Sequence, residues 1–234
     1  MKTRTHKAIG AAAAIAAIMA SVPMAINADA DPAPTAEFPE PEGPGCDAFK
    51  ATMPTYKSLH EAQTGQALAA IKDISTFYSA VSGQLNPAVN TVPMLDNGPY
   101  VIFAPSNEAF AALDPAKLQA LKADPAGLGK LVNYHVFLGL LGPDDVHGQR
   151  PSQEGAEIKV TGKGGDVKVN DTAKVVCGGI ISGHARIYII DTVLDPADPP
   201  EAITPTVSGS SSTSTSTTTS TSTSTSAPSP VPAP

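Results

Sequence analysis

YVIFAPSNEAF, residues 100–110, runs from an apolar strand through Ala104-Pro105 straight into a helix. Tyr100 to Phe103 reads as a short strand buried on both faces, entered from the Asn97-Gly98-Pro99 turn. Pro105 has no N–H to donate and ends strand pairing. Ser106 then stands where a side-chain oxygen accepts from the first free N–H groups of a helix starting at Asn107. Glu108 falls in the first turn, where a negative charge suits the helix dipole. The rival reading makes Ser106 a nucleophile activated by His135 and oriented by Asp191. The Gly-x-Ser-x-Gly elbow that would expose such a serine is missing, because Ala104 and Glu108 occupy the glycine positions. The spacing predicts a strand-to-helix seam.

Outward from that seam, residues 46–200 divide into a helical first half and a strand-rich second half, which predicts a single α+β domain. In QALAAIKDISTFYSAVSGQL, the residues Leu68, Ile71, Phe77, Tyr78 and Val81 recur at helical spacing, and Gly83 sits where a helix ends. In AFAALDPAKLQALKADPAGLGKLVNYHVFLG, Pro115 and Pro125 follow Asp114 and Asp124, the pattern of capped helix starts, so two or three short helices are expected. Beyond Asp144 the period changes to two. Ile158 and Val160, Val167 and Val169, Val175, and Ile187 and Ile189 mark strands, with turns at Gly162–Gly165 and Asn170-Asp171. These predict hairpins of a half-buried antiparallel sheet. The GKGG turn lacks the strand, lysine-serine and helix context of a phosphate loop.

Residues 1–30 carry Lys2, Arg4 and Lys7, then an apolar run, then Ala28-Asp29-Ala30, and are read as a signal peptide cleaved after Ala30. The run is roughly 15 residues before Pro23, short of the about 20 that cross a bilayer. No cysteine follows it for lipid attachment, and no later stretch has spanning length. Residues 31–45 hold five prolines and several acids and are expected to be a disordered leader. Residues 208–226 contain 18 Ser or Thr in 19 positions, within a Ser/Thr/Pro-rich tail at 201–234 that is expected to be a disordered stalk open to O-glycosylation.

The whole chain carries 15 basic and 22 acidic residues, a formal charge of −7. Cleavage after Ala30 would leave 12 basic against 21 acidic, or −9. With no basic run, nucleic acid is a poor partner. The two cysteines, Cys46 and Cys177, are too few and too far apart for a zinc site, and in an exported chain an even count reads first as a disulfide. No histidines form a metal-binding pair, and neither a metal nor another cofactor is expected. Tyr134-His135 lies on the apolar stretch LVNYHVFLG, as a packed helix face or as a recognition element. Asn170-Asp171-Thr172 fits an N-glycosylation sequon.

Taken together, YVIFAPSNEAFAAL, LVNYHVFLG, VKVNDTAKVV and IYIIDTVLDP resemble, in order and spacing over about residues 65–197, the signature blocks of fasciclin-like domains. GPGC at 43–46, SGQLNPAVN at 82–90 and VVCGGI at 175–180 are similar to the mycobacterial-type secreted immunogenic members of that family. The resemblance implies a Cys46–Cys177 bridge and a wedge of two short β-sheets flanked by helices. It also implies adhesion through protein or glycan contacts without catalysis, a recognition role for Tyr134 and His135, and a role for Asp191 in capping or stapling the last turn. His184-Ala185 and Tyr188 depart from the wider family pattern. The reading is a secreted, non-catalytic interaction module that is extracellular or wall-associated. A carrier of a small apolar ligand between sheet and helices, and more weakly an exported hydrolase, are the alternatives.

Overall fold

The computed structural model describes residues 38–203. The expected signal peptide, the expected leader up to residue 37 and the expected tail from residue 204 lie outside the described residues.

The first half is helical. Its elements are α1 (Cys46–Thr52), a 3-10 turn at Tyr56–Glu61, α2 (Thr64–Ala70), a 3-10 turn at Lys72–Ile74, α3 (Ser75–Val81) and α4 (Val92–Asp96). Strand β1 (Tyr100–Pro105) comes next, then α5 (Asn107–Ala111), α6 (Pro115–Ala123) and α7 (Pro125–Tyr134). The strands are β2 (Val136–Leu138), β3 (Gly148–Pro151), β4 (Glu157–Lys163), β5 (Asp166–Val169), β6 (Ala173–Ile181) and β7 (Ala185–Ile190).

The seam forms as its residues dictate. All six residues of β1 are buried. Ile102 and Ala104 face the core beneath the helices, whereas Val101 and Phe103 face a second core with Tyr134, Phe137, Ile158 and Tyr188. Pairing with β7 continues through Pro105, and the Ser106 N–H then donates to the Ile190 carbonyl at 2.9 Å, one step beyond the expected end. The β1–β7 pairing is parallel, unlike the hairpins expected downstream. Asp114 accepts from the Ala116 and Lys117 N–H groups and Asp124 from the Ala126 N–H, so both expected caps start helices.

Two expectations are corrected. The strands form one seven-stranded mixed sheet, in the order β2-β1-β7-β6-β5-β4-β3, instead of two short sheets. The cause is the nine-residue β6. Its first residues pair with β5 and its later ones with β7, and two register shifts around Cys177 bend it between the two ladders. Secondly, order begins before residue 46. Glu42 and Gly178 exchange backbone bonds at 2.9 and 2.8 Å, and the Gly45 N–H donates to the Val176 carbonyl at 2.8 Å. Glycine makes this approach possible. At Gly43, φ is +144° and a Cβ would stand 2.5 Å from the Val176 oxygen.

The helix expected over residues 66–82 is also interrupted, with Ile71 extended between α2 and the Lys72–Ile74 turn. Asn107 explains the restart. Its Oδ1 accepts from the Thr76 N–H at 2.9 Å and the Ser75 hydroxyl at 3.2 Å, and its Nδ2 donates to the Lys72 carbonyl at 2.8 Å. The residue that opens α5 thus also satisfies the start of α3, from 31 positions away.

Candidate functional site

Helix α7 carries Tyr134 and delivers the chain through His135 into β2, the edge strand of the sheet. Both rings are fully buried. The Tyr134 hydroxyl donates to the Glu157 carbonyl at 3.0 Å and accepts from the Asn170 amide at 2.8 Å, and burial pushes its pKa up. The Leu194 N–H donates to His135 Nε2 at 3.0 Å, so Nε2 is an acceptor and the ring proton lies on Nδ1, which donates to the Leu131 carbonyl at 2.8 Å. Burial holds the imidazole down to about 4, against a smaller opposing effect of the Leu131 bond. His135 is therefore neutral and joins α7 to the segment after β7.

This places both residues that the resemblance implied as recognition elements, Tyr134 and His135, inside the domain. Their polar atoms are engaged within the chain and their surfaces are covered, so the folded domain presents neither ring to a partner. Instead they fix the point at which the chain enters β2. Past that strand, the Gly139 N–H donates to the Pro99 carbonyl at 2.8 Å and the Tyr188 hydroxyl to the Leu141 carbonyl at 2.6 Å. Between and beside these anchors Leu138 is 60% exposed and Leu140 is 47% exposed. The sequence reading missed this pair. Their signal was FLGLLG itself, too many large aliphatic residues around glycines for a three-residue strand to bury.

The other predicted residues sit apart from one another and hold the fold. Ser106 accepts from the Ala109 N–H at 3.1 Å as the cap of α5. Asp191 accepts from the Lys174 N–H at 2.8 Å while its own N–H donates to the Lys174 carbonyl at 3.1 Å, which staples the end of β7 to β6. Ser106, His135 and Asp191 thus each bond to separate partners, and no proton relay joins them. Ser106→Ala is expected to cost about 1 kcal/mol, as lost caps do, readable as a lower urea midpoint.

Cys46 and Cys177 are bonded and buried. The Asn170 nitrogen that a glycan would occupy donates to Tyr134, while Asn170 Oδ1 accepts from the Lys159 N–H at 2.9 Å. A glycan there would leave that nitrogen a single N–H and would have to be placed beside the Tyr134 hydroxyl. Among the described residues, no helix is long and apolar enough to cross a membrane, and no group of three or more His, Cys, Asp or Glu side chains is arranged to hold a metal ion.

A disulfide-stapled α+β domain with a mixed seven-stranded sheet, and with its Tyr-His pair serving as an internal fastener, is the class that this geometry defines. The chain belongs to the fasciclin domain family, whose model matches residues 72–196. It is 35% identical over 197 residues to the immunogenic protein MPB70 of Mycobacterium bovis, covering 82% of this chain and 98% of that one. It is 38% identical over 182 residues to the cell surface glycolipoprotein MPB83 of the same species, covering 74% and 82%. Protein sll1483 of Synechocystis is 32% identical over 135 residues, covering 56% and 72%. A solved FAS1 domain pair from the insect cell adhesion molecule Fasciclin I aligns with 53% of this chain and 45% of its own, at 19% identity and a TM-score of 0.40.

Proposed function

We propose that this chain works outside the cell as a non-catalytic interaction module, and that Leu138 and Leu140 form its contact with a protein partner. The observation that carries the reading is the exposed pair Leu138, at the end of edge strand β2, and Leu140, just past it, beside the bonds that the Gly139 N–H makes to Pro99 and the Tyr188 hydroxyl to Leu141. Exposed leucines occur singly on most surfaces. A pair held on a fixed loop at a sheet edge supplies apolar area without a large ordering cost on binding, which favours affinity. Membership of the fasciclin domain family and the names of the mycobacterial relatives support a place at or beyond the cell surface. In this reading the Ser/Thr-rich tail acts as a spacer.

Introducing charge at the pair separates contact from folding. In Leu138→Asp/Leu140→Asp, stability is expected to change by less than about 0.5 kcal/mol per site, as exposed substitutions usually do. Saturable binding to a panel of purified matrix and surface proteins should fall at least tenfold. Wild-type binding retained by a variant of unchanged melting temperature would remove the leucine pair from the interface.

One observation favours the carrier reading in altered form. A cleft of about 340 Å³ opens beside α1 and α2, lined by apolar Phe49, Met53 and Ile71 and by polar Thr52, Lys72 and Asp73. It lies among the helices, where the carrier reading had expected a site between helices and sheet. Native mass spectrometry of protein from its own source decides this alternative: a clean apo mass would end it.

A further inference from the structure

The segment ahead of α1 is laid against the domain as a peptide ligand would be. Phe38 packs on the His60 ring, with centroids 4.3 Å apart. Two residues on, the Glu40 carboxylate meets Lys57 Nζ at 2.6 Å and Lys50 Nζ at 3.3 Å and accepts from the Tyr56 hydroxyl. Both lysines also approach the Tyr56 ring, at 6.0 and 5.9 Å from its centre. Two residues further, Glu42 exchanges both backbone bonds with Gly178 of β6. The alternate positions Pro39 and Pro41 have no N–H to contribute. The segment is held by one isolated main-chain pairing at Glu42 and by side-chain contacts at alternate positions Phe38 and Glu40, two of the means by which extended peptide ligands are recognised. Here the readers are a ring and a double-lysine clamp on a chain of net charge −7.

We propose that His60, Lys50, Tyr56, Lys57 and the Val176–Gly178 edge of β6 form an acceptor groove for an extended acidic protein segment with an aromatic residue two positions before a glutamate. The chain's own residues 38–42 fill this groove in cis. The strap is fit for exchange. Its Lys57–Glu40 pair is solvent-exposed and its Lys50–Glu40 pair is partly so, and exposed pairs contribute little each. It hangs on Gly43-Pro44-Gly45, immediately before the Cys46 anchor. A tethered segment acts at an effective concentration of around millimolar, so a partner gains the groove once the strap is weakened or outnumbered. The groove is independent of the leucine loop, and neither depends on the other being a binding surface.

The test uses the full mature chain and the fluorescent peptide EFPEPEG. Phe38→Ala/Glu40→Gln should release the strap, seen as faster hydrogen exchange of the Glu42 and Gly178 amides, and should bind the peptide at least tenfold more tightly than wild type. Adding Lys50→Glu/Lys57→Glu should abolish that binding, as should replacing the peptide glutamates with glutamine. A released strap with no saturable binding, or binding indifferent to the lysine reversals, overturns the proposal. So does free glutamate competing as well as the peptide, since the groove would then read a carboxylate alone. If the released variant does not fold, millimolar peptide added to wild type should shift the Glu42 and Gly178 amide resonances, and unchanged resonances overturn the proposal equally.

Discussion

Reduction of the Cys46–Cys177 bond is expected to lower the unfolding free energy by about 2–5 kcal/mol. The two residues are 131 positions apart. For a loop of that size the chain-entropy model gives an upper figure of about 5 kcal/mol, reduced by residual structure in the unfolded chain. The bond has a local effect as well. It joins the first helix to the bulged middle of β6, where one strand passes from the β5 ladder to the β7 ladder. It also fastens the base of the strap at residues 38–45. Urea unfolding of wild type with and without reductant, and of Cys46→Ser/Cys177→Ser, measures the effect. An unchanged midpoint after proven reduction would mean that the β6 packing carries the junction unaided.

Acidification is expected to weaken the domain well before its carboxylates protonate. His135 is held down to about 4 by burial, against an ordinary 6.5. Between those values the unfolded chain binds a proton that the folded chain refuses. Stability is therefore full above about pH 6.5 and falls as the pH drops towards 4, by about 2 kcal/mol at pH 5 and about 3 kcal/mol across the whole window. Protonation would also turn Nε2 into a donor aimed at the Leu194 N–H, so the structure opposes the charge twice. Glu40, lowered to about 2 mainly by its Lys57 bond, adds its own loss only below about pH 4.5. Comparing urea midpoints at pH 7 and pH 5 isolates the histidine. His135→Gln should flatten that difference while costing about 1–3 kcal/mol at pH 7, because one or both of the Leu131 and Leu194 groups lose their partner. Equal wild-type midpoints at the two pH values would contradict a neutral, buried His135.

These two residue pairs differ in how far they could be read in advance. The cysteine pairing was accessible from their number, the expected export signal and the family resemblance. The burial of Tyr134-His135 was one of two open readings, and the hydrogen bonds to Leu194, Glu157 and Asn170 that decide it come from elements 23 to 59 positions away.

What the sequence determined by itself is local. The strand-to-helix seam at 100–110, the Ser106, Asp114 and Asp124 caps, the Gly83 helix end and the turns at 162–165 and 170–171 all depend on groups within a few residues of one another. Backbone donors there are satisfied by neighbouring side chains or by special dihedrals. What only the tertiary structure decided involves partners far apart in the chain. Asn107 restarts a helix 31 positions earlier, β6 fuses two ladders into one sheet, β1 lies parallel to β7, and a proline-rich segment becomes a strap because Gly43 and Gly45 let it touch the Val176 backbone. Hydrophobic period indicates which face is buried but not which neighbour buries it. Sheet order, the buried Tyr-His fastener and the exposed leucine pair were therefore settled by packing.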